Sequence, residues 1–214
     1  MLKDIGFLIN KNNIFLLDNI LKKHKNIWVE IGSGNGEFIT ELAQRKKNDF
    51  FIASEIKFKR VYKTLRKIYR NNTDNVLIVH GAGDILTEFF IKDNTVKNFI
   101  LNFPDPWFKK RHKKRRVINS YFYKVMHDKL KESGNIFIAT DYKEYADIIK
   151  DDAQKLNIFN HADFTDKWLY KDIFTKFEKS FINQGKTIYY LRLNAVKNIN
   201  LSGRKPHKND KDIA

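Results

Sequence analysis

The fifteen residues from Asn102 to Arg116, NFPDPWFKKRHKKRR, join a carboxylate to a block of positive charge. Asp105 stands between two prolines, which restrict its backbone and fix the direction of its side chain. With Trp107 beside it, we expect this carboxylate to be buried. Since carboxylates do site chemistry and rows of Lys and Arg attract polyanions, the run predicts an enzyme that acts on a nucleic acid. The plainer alternative is that Trp107 belongs to the core and Asp105 caps a turn.

A second candidate site is a glycine turn that follows an apolar run. Gly32, Gly34 and Gly36 let the backbone turn sharply and approach a ligand closely before a helix begins. Their G-x-G-x-G spacing differs from the dinucleotide fingerprint. Glu30 before the turn and Glu37 after it would repel a pyrophosphate. This pattern instead favours a cationic ligand, such as the amino-acid end of S-adenosylmethionine.

A further carboxylate, Glu55, ends the next apolar run about twenty residues beyond the glycines, where a ribose-binding acid is placed in nucleotide-binding folds. We expect it to accept hydrogen bonds from both ribose hydroxyls. The alternative is a solvated charge at the start of a helix.

Short apolar runs alternate with helical patterns along most of the chain, which predicts an α/β fold with a doubly wound, mostly parallel sheet and helices on both faces. The expected strands are Ile27–Ile31, Phe50–Ser54, Val76–His80, Asn98–Asn102 and Ile136–Thr140, and the expected helices are 36–47, 57–70, 84–92, 117–131 and 142–155. Because ligands bind beyond the carboxyl ends of such strands, Glu30, Glu55 and Asp105 are expected at one edge of the sheet.

We expect a single domain over residues 1–193, with an N-terminal helical segment at 1–25 that contains a helix at 11–24. After residue 156, two further strands, Leu156–Phe164 and Thr187–Leu193, are expected to pair antiparallel across an irregular segment rich in aromatics. Residues 194–214 are polar and basic, and are predicted to be a flexible tail.

The composition favours a polyanionic partner. The 214 residues carry a formal net charge of +16, and three of the nine Arg lie in the one basic run, at Arg111, Arg115 and Arg116. A general excess of Lys is the bland alternative, but the clustering of Arg favours phosphate recognition. Together with Lys113 and Lys114, these Arg are our candidate RNA-binding residues. With no Cys, no apolar stretch of membrane-spanning length and no signal-peptide pattern, we expect a cytoplasmic protein without a membrane or metal partner.

Taken together, these motifs resemble the tRNA (guanine-N7)-methyltransferases, and the resemblance covers about Trp28 to Leu193. It is carried by the glycine turn with Glu30, by Glu55-Ile56-Lys57, by the run NFPDPWFKKRHKKRR, by Thr140-Asp141, by Thr175-Lys176-Phe177-Glu178, and by Gly185 with Ile188-Tyr189. The resemblance implies a Rossmann-like methyltransferase fold with an antiparallel C-terminal strand, S-adenosylmethionine as cofactor and tRNA as partner, in a monomer or homodimer.

The same resemblance implies roles for particular residues. Glu30, Glu55 and the glycines correspond to the cofactor site, and Asp105 to the catalytic-site carboxylate, which also borders the cofactor. Lys109, Asp141, Thr175 and Glu178 correspond to positions that contact guanine or tRNA. The family usually has Asp or Asn near the adenine where this chain has Ala82, and backbone groups or Asp84 are the alternatives here.

Three other functions stay open at this point. One is methylation of an exocyclic amine of an RNA or DNA base, for which related enzymes use an Asp/Asn-Pro-Pro-aromatic loop. Another is a nicotinamide-dependent oxidoreductase, which Glu30 and the glycine spacing disfavour. The last is a non-catalytic basic RNA-binding protein, which leaves three acids at successive strand ends unexplained.

Overall fold

The apolar runs of the sequence assemble into one eight-stranded sheet. The computed structural model describes residues 8–9, 14–108, 110–166 and 172–197. The strands are β1 (Leu8–Ile9), β2 (Ile27–Ile31), β3 (Phe50–Glu55), β4 (Val76–His80), β5 (Val96–Asn102), β6 (Leu130–Thr140), β7 (Phe159–Thr165) and β8 (Tyr189–Ala195). They lie in the order β1-β4-β3-β2-β5-β6-β8-β7. β8 pairs antiparallel with both β6 and β7, and the other strand pairs are parallel, so the expected mostly parallel sheet is confirmed.

Helices cover both faces of this sheet, as the doubly wound prediction requires. They are α1 (Leu16–Lys23), α2 (Glu37–Arg45), α3 (Phe58–Arg70), α4 (Gly83–Ile85), α5 (Ser120–Lys129), α6 (Lys143–Lys155) and α7 (Lys176–Asn183). One apolar cluster joins α1, α5 and α6 to one face, and a second cluster joins α2 and α3 to the other. The strands between them are buried on both sides, which explains their continuous apolar sequences.

The strand order creates the crevice of the fold. From β2 the chain proceeds through β3 to β4 on one side, and it returns to β5 and β6 on the other. The connections therefore diverge beyond the carboxyl ends of β2 and β5, where open α/β sheets bind ligands. Glu30, next to last in β2, and Asn102, last in β5, lie at this point.

The structure corrects several expected boundaries. The predicted helix at 84–92 is a three-residue α4 followed by a π-helical turn, Leu86–Phe90. The predicted helix at 117–131 ends at Lys129, since Leu130 already pairs with Val96 in the sheet. The strand predicted from Leu156 begins at Phe159, because Asn157 has a left-handed φ of 51° and turns the chain.

Two further elements were absent from the prediction. The segment expected to be irregular before β8 contains α7, and the predicted tail begins two residues too early because β8 continues to Ala195. At the N-terminal end, Leu8–Ile9 forms β1 against Ile78 and Val79, ahead of the predicted helix, which begins at Leu16. Residues 198–214 and most of the chain before Ile14 lie outside the described residues.

Within the described ranges, no helix is both long and apolar enough to cross a membrane. No group of three or more His, Cys, Asp or Glu among these same residues could hold a metal ion. The expectation that the protein uses neither a membrane nor a metal stays a prediction.

Candidate active site

The glycine turn has the geometry expected of a ligand-binding turn. Gly32, Gly34 and Gly36 all have left-handed φ angles, of 73°, 61° and 76°, which glycine adopts without strain. A Cβ at position 36 would also lie 2.5 Å from the side chain of Thr64 on α3. Positions 32 and 34 face open space instead, so the turn leaves room for a ligand where it meets the crevice.

Glu30 is a buried acid with one free oxygen. Its side chain is 1% exposed, and its Oε1 accepts a hydrogen bond of 2.9 Å from the Asn102 amide. Its Oε2 is buried without a hydrogen-bond partner among the described residues. Burial raises the pKa of Glu30 to about 7, opposed by the Asn102 hydrogen bond and assisted by the charges of Glu37 and Glu55. Such a site favours a cation that donates hydrogen bonds.

Glu55 lies beneath the glycine turn and holds it. Its Oε2 accepts from the Gly34 N–H at 3.1 Å, and its Oε1 accepts from the Lys57 N–H at 2.8 Å. Arg60 adds an ion pair of 3.7 Å. Because each carboxylate oxygen has two lone pairs, the side chain retains acceptor capacity. The structure thus gives Glu55 a local structural role, and its contact with a ribose stays a prediction.

Ala82 lies between two glycines at the crevice edge. A Cβ at Gly83 would lie 2.5 Å from Ile31 and 2.6 Å from the Ser54 hydroxyl, so the loop after β4 packs directly on β2 and β3. Asp84, the alternative acid for an adenine, is exposed, and its carboxylate accepts from the Ile85 N–H at 2.9 Å. Ala82 itself is half-buried.

The Asp105 loop leaves the sheet at the same edge as Glu30. Phe103 and Trp107 bracket it with left-handed φ angles of 53° and 44°, a conformation that non-glycine residues rarely adopt. The Asp105 side chain is exposed, so the prediction of a buried carboxylate is wrong. The two prolines hold the backbone, but the turn directs the acid outward, where it can meet a substrate that arrives from solvent.

The basic run forms a 3-10 helix, Lys110–Arg115, packed against this loop. Trp107 is half-buried, with Arg115 5.3 Å from its ring centre and the His112 ring in edge contact. Phe108 is exposed and touches Tyr142 instead. Of the two aromatic residues, Phe108 therefore has the exposed ring surface on which a nucleobase would stack.

The cations of the run divide into two groups. Arg111 and Arg115 are exposed, and the backbone of Lys113 and Lys114 lies in the same 3-10 helix. Arg116 turns inward: its Nε donates to the Pro106 carbonyl at 2.7 Å, and its guanidinium lies 4.6 Å from the centre of the Tyr145 ring. Arg116 thus anchors the Asp105 loop. Lys109 lies outside the described residues.

The C-terminal site candidates also divide. Asp141 follows β6 at the crevice edge, and its Oδ2 accepts from Lys186 at 2.7 Å. Thr175 and Glu178 form a capping box at the start of α7, in which each side chain accepts from the other's backbone N–H. Glu178 is buried, and its second oxygen accepts from the Tyr190 hydroxyl at 2.5 Å.

Glu178 consequently holds α7 on β8. The spacing Thr-x-x-Glu is the sequence signal for this capping role. Helix α7 in turn places Phe181 against Phe103, at 5.4 Å between ring centres, and so supports the Asp105 loop from the other side. A direct contact of Thr175 or Glu178 with guanine stays a prediction.

This network predicts that Tyr190→Phe destabilises the fold by about 1–3 kcal/mol, because it removes a hydroxyl that donates a hydrogen bond to a buried carboxylate. Urea unfolding followed by circular dichroism measures the effect. Tyr69→Phe, which removes an exposed hydroxyl, is the matched control and should change the unfolding free energy by less than about 0.5 kcal/mol. Equal effects of the two substitutions would contradict a structural role for Tyr190.

Comparison with known proteins gives the fold and site a family. Residues 24–191 match the family described as "Putative methyltransferase". A tRNA (guanine-N(7)-)-methyltransferase of Wolbachia pipientis is 33% identical over 186 residues, which are 86% of this chain and 81% of that protein. The chain belongs to the tRNA (guanine-N7)-methyltransferase family. A family member from Aquifex aeolicus is 36% identical over 172 residues, 80% of this chain and 57% of that protein.

A solved structure agrees with this membership at the level of the fold. An antibiotic-related methyltransferase superposes with a TM-score of 0.63 at 16% identity, covering 89% of this chain and 98% of its own. The chain is thus a methyltransferase with the Rossmann-like fold of its class, as the sequence analysis expected.

Proposed function

We propose that this chain transfers a methyl group from S-adenosylmethionine to N7 of a guanine in tRNA, at the variable-loop guanine. The observation that supports it best is the pairing of two acids at one sheet edge. Glu30 is buried with one oxygen that has no partner among the described residues, and Asp105 is exposed on a braced loop. The first acid suits a cationic cofactor, and the second suits a substrate that becomes cationic.

The residues of the crevice fit S-adenosylmethionine. Glu30 Oε2 would accept from the ammonium of its amino-acid end, and the open faces of Gly32 and Gly34 would receive that end closely. Glu55 would accept from the ribose, and the backbone at Ala82 would border the adenine. When bound, the cofactor supplies a methyl group on a sulfonium, which is already a good leaving group.

Guanine N7 carries a lone pair and needs no base to remove a proton before it attacks. Catalysis then consists mainly of alignment, with nucleophile, methyl carbon and sulfur in line. Methylation leaves positive charge on the purine, so a nearby carboxylate stabilises the transition state more than the neutral ground state. We assign this electrostatic role to Asp105. Asp141, now paired with Lys186, would exchange that ion pair for hydrogen bonds from the guanine Watson–Crick edge.

The cations of the 3-10 helix are proposed to dock the tRNA backbone beside Asp105. If about four of them meet phosphates, the logarithm of the association constant falls with the logarithm of salt concentration with a slope of roughly −3 to −4. A cytoplasmic location, with tRNA as the partner, fits the same proposal.

Two arginines of the run should differ in a salt titration. Arg111→Gln removes an exposed charge and is expected to reduce the salt slope of tRNA binding by about 1. Arg116→Gln removes the anchor of the Asp105 loop, so it should lower turnover more than it changes the slope. Filter binding and single-turnover assays measure the two effects, and equal slope changes would contradict the division into docking and anchoring roles.

Methyl transfer from labelled S-adenosylmethionine to unmodified tRNA, followed by nucleoside analysis, tests the whole proposal. N7-methylguanosine is the expected product. A different methylated nucleoside, such as one altered at an exocyclic amine, would keep the methyltransferase and discard the guanine-N7 assignment. If the protein binds the cofactor but transfers no methyl group to any tRNA, the assignment of tRNA as the substrate is wrong.

A further inference from the structure

The Asn102 side chain joins the two halves of the crevice. Asn102 ends β5, and the next residue, Phe103, begins the Asp105 loop with its N–H bonded to the Ala139 carbonyl at 2.8 Å. Its amide Nδ2 donates to Glu30 Oε1 on the adjacent strand at 2.9 Å. The contact therefore links the buried acid of β2 to the first residue of the loop that carries Asp105.

This amide determines which Glu30 oxygen is available. With Oε1 occupied by Asn102, Oε2 is the buried oxygen that has no partner in the described part of the chain. A planar carboxylate fixed at one oxygen has its other oxygen fixed in direction as well. The charged groups around it are Glu37 on α2 and Glu55 on β3, each of which disfavours the ionised form of Glu30. Their own cations are Lys67 on Glu37 at 3.4 Å and Arg60 on Glu55 at 3.7 Å.

We propose that Asn102 is a positioning residue for the cofactor: its amide holds Glu30 Oε1, so that Oε2, unpartnered among the described residues, is left for a cationic ligand. This inference rests on the proposed function, because it takes the ligand to be the ammonium of S-adenosylmethionine. A hydrogen bond to an ionised carboxylate favours the charged form. Among the residues described, the Asn102 amide is the one group that donates such a bond to the Glu30 side chain.

The test is the affinity for S-adenosylhomocysteine, the demethylated product, measured by calorimetry from about pH 5.5 to 8.5 for the wild-type protein, Asn102→Ala and Asn102→Asp. Removal of a donor to a charged acceptor should weaken binding at pH 7 about tenfold or more. The pH at which binding levels off should rise by about one unit in Asn102→Ala, and affinity should recover toward alkaline pH. Asn102→Asp should be weaker still, since it places a second carboxylate against Glu30.

Asn98→Ala is the matched control, because Asn98 is a buried Asn of the same strand whose described side-chain bond is to Asn135, away from the crevice. It should leave the pH profile of binding unchanged. Titration of the Glu30 carboxyl by carbon NMR in the free protein gives a second readout that needs no ligand. Its pKa should rise in Asn102→Ala and stay in place in Asn98→Ala.

The outcomes separate the two proposals. If wild-type protein binds no S-adenosylhomocysteine at any pH, the cofactor assignment fails, while the NMR titration still decides whether Asn102 sets the ionisation of Glu30. If wild type binds and Asn102→Ala has the same affinity and the same pH profile, Asn102 is not a positioning residue. An Asn102→Asp variant that binds better than Asn102→Ala would overturn the charge argument.

Discussion

Replacement of Asp105 by Asn is expected to lower kcat for tRNA methylation by about 100-fold or more while the protein stays folded. The carboxylate is exposed and makes no hydrogen bond or ion pair to the described residues, so its loss should change the unfolding free energy by no more than about 0.5 kcal/mol. Because Asn preserves the shape and removes the charge, the substitution isolates the electrostatic stabilisation of the cationic purine. Single-turnover methyl transfer, with melting curves in parallel, measures both effects.

Asp74→Asn is the control for this experiment. Asp74 is an exposed acid that precedes β4, at the sheet edge opposite the crevice. It should retain the wild-type rate. Near-full turnover of Asp105→Asn would refute the electrostatic role, and an equal loss in both variants would show that the effect is not local.

The second large effect concerns Glu30. Glu30→Gln should weaken S-adenosylhomocysteine binding by more than about 100-fold, because it removes the buried charge that a cationic ligand requires. The same substitution should stabilise the free protein at neutral and higher pH. Gln keeps an oxygen for the Asn102 amide, but it carries no charge that burial penalises.

The sign of the pH dependence follows from the raised pKa. The carboxyl titrates near 4.5 in the unfolded chain and about 7 in the folded protein. Between these values the folded state holds a proton that the unfolded state has released, so the contribution of Glu30 to stability falls as pH rises through this window. Above pH 7, burial of the ionised Glu30 lowers the free energy of unfolding by about 3 kcal/mol. Glu30→Gln should recover stability of that order.

Denaturant unfolding at several pH values measures this difference. The gain in stability of Glu30→Gln over wild type should grow from pH 4.5 to 7 and then level off. Glu132→Gln, at an exposed acid near the start of β6 and so at the strand end opposite the crevice, should show no such pH-dependent gain. If Glu30→Gln is less stable than wild type at pH 8, the interpretation that the buried charge of Glu30 destabilises the free protein is wrong.

Local sequence patterns correctly predicted the strands and the glycine turn that carry the site. Central strands such as Ile27–Ile31 are buried at every position and apolar at all but Glu30, and the confirmed order of strands and helices follows from that pattern and from the handedness of parallel connections. The glycine turn was equally predictable, since three alternate glycines after a buried strand have few other uses. Helix α7 was missed because its capping box was interpreted as a substrate contact.

The direction of individual side chains was the part that the sequence did not determine. Asp105 was expected to be buried and is exposed, and the hydrogen bond from the Tyr190 hydroxyl to Glu178 was not foreseen. Arg116 was grouped with the RNA-binding cations, which stays a prediction, and the structure adds that it holds the loop through the Pro106 carbonyl. The direction of each of these side chains depends on the conformation of a loop or on a hydrogen-bond partner that is distant in sequence.

By itself, the sequence determined the doubly wound sheet, the edge at which Glu30, Glu55 and Asp105 gather, and the family of methyltransferases to which the chain belongs. Only the tertiary structure decided that the Asn102 amide holds Glu30 across 72 residues of sequence, and that α7 and Arg116 brace the Asp105 loop from its two sides. The physical reason is that strands and turns follow from periodic burial and backbone preference along the chain. Hydrogen-bond pairing between strand ends depends instead on distances that exist only after the sheet has formed.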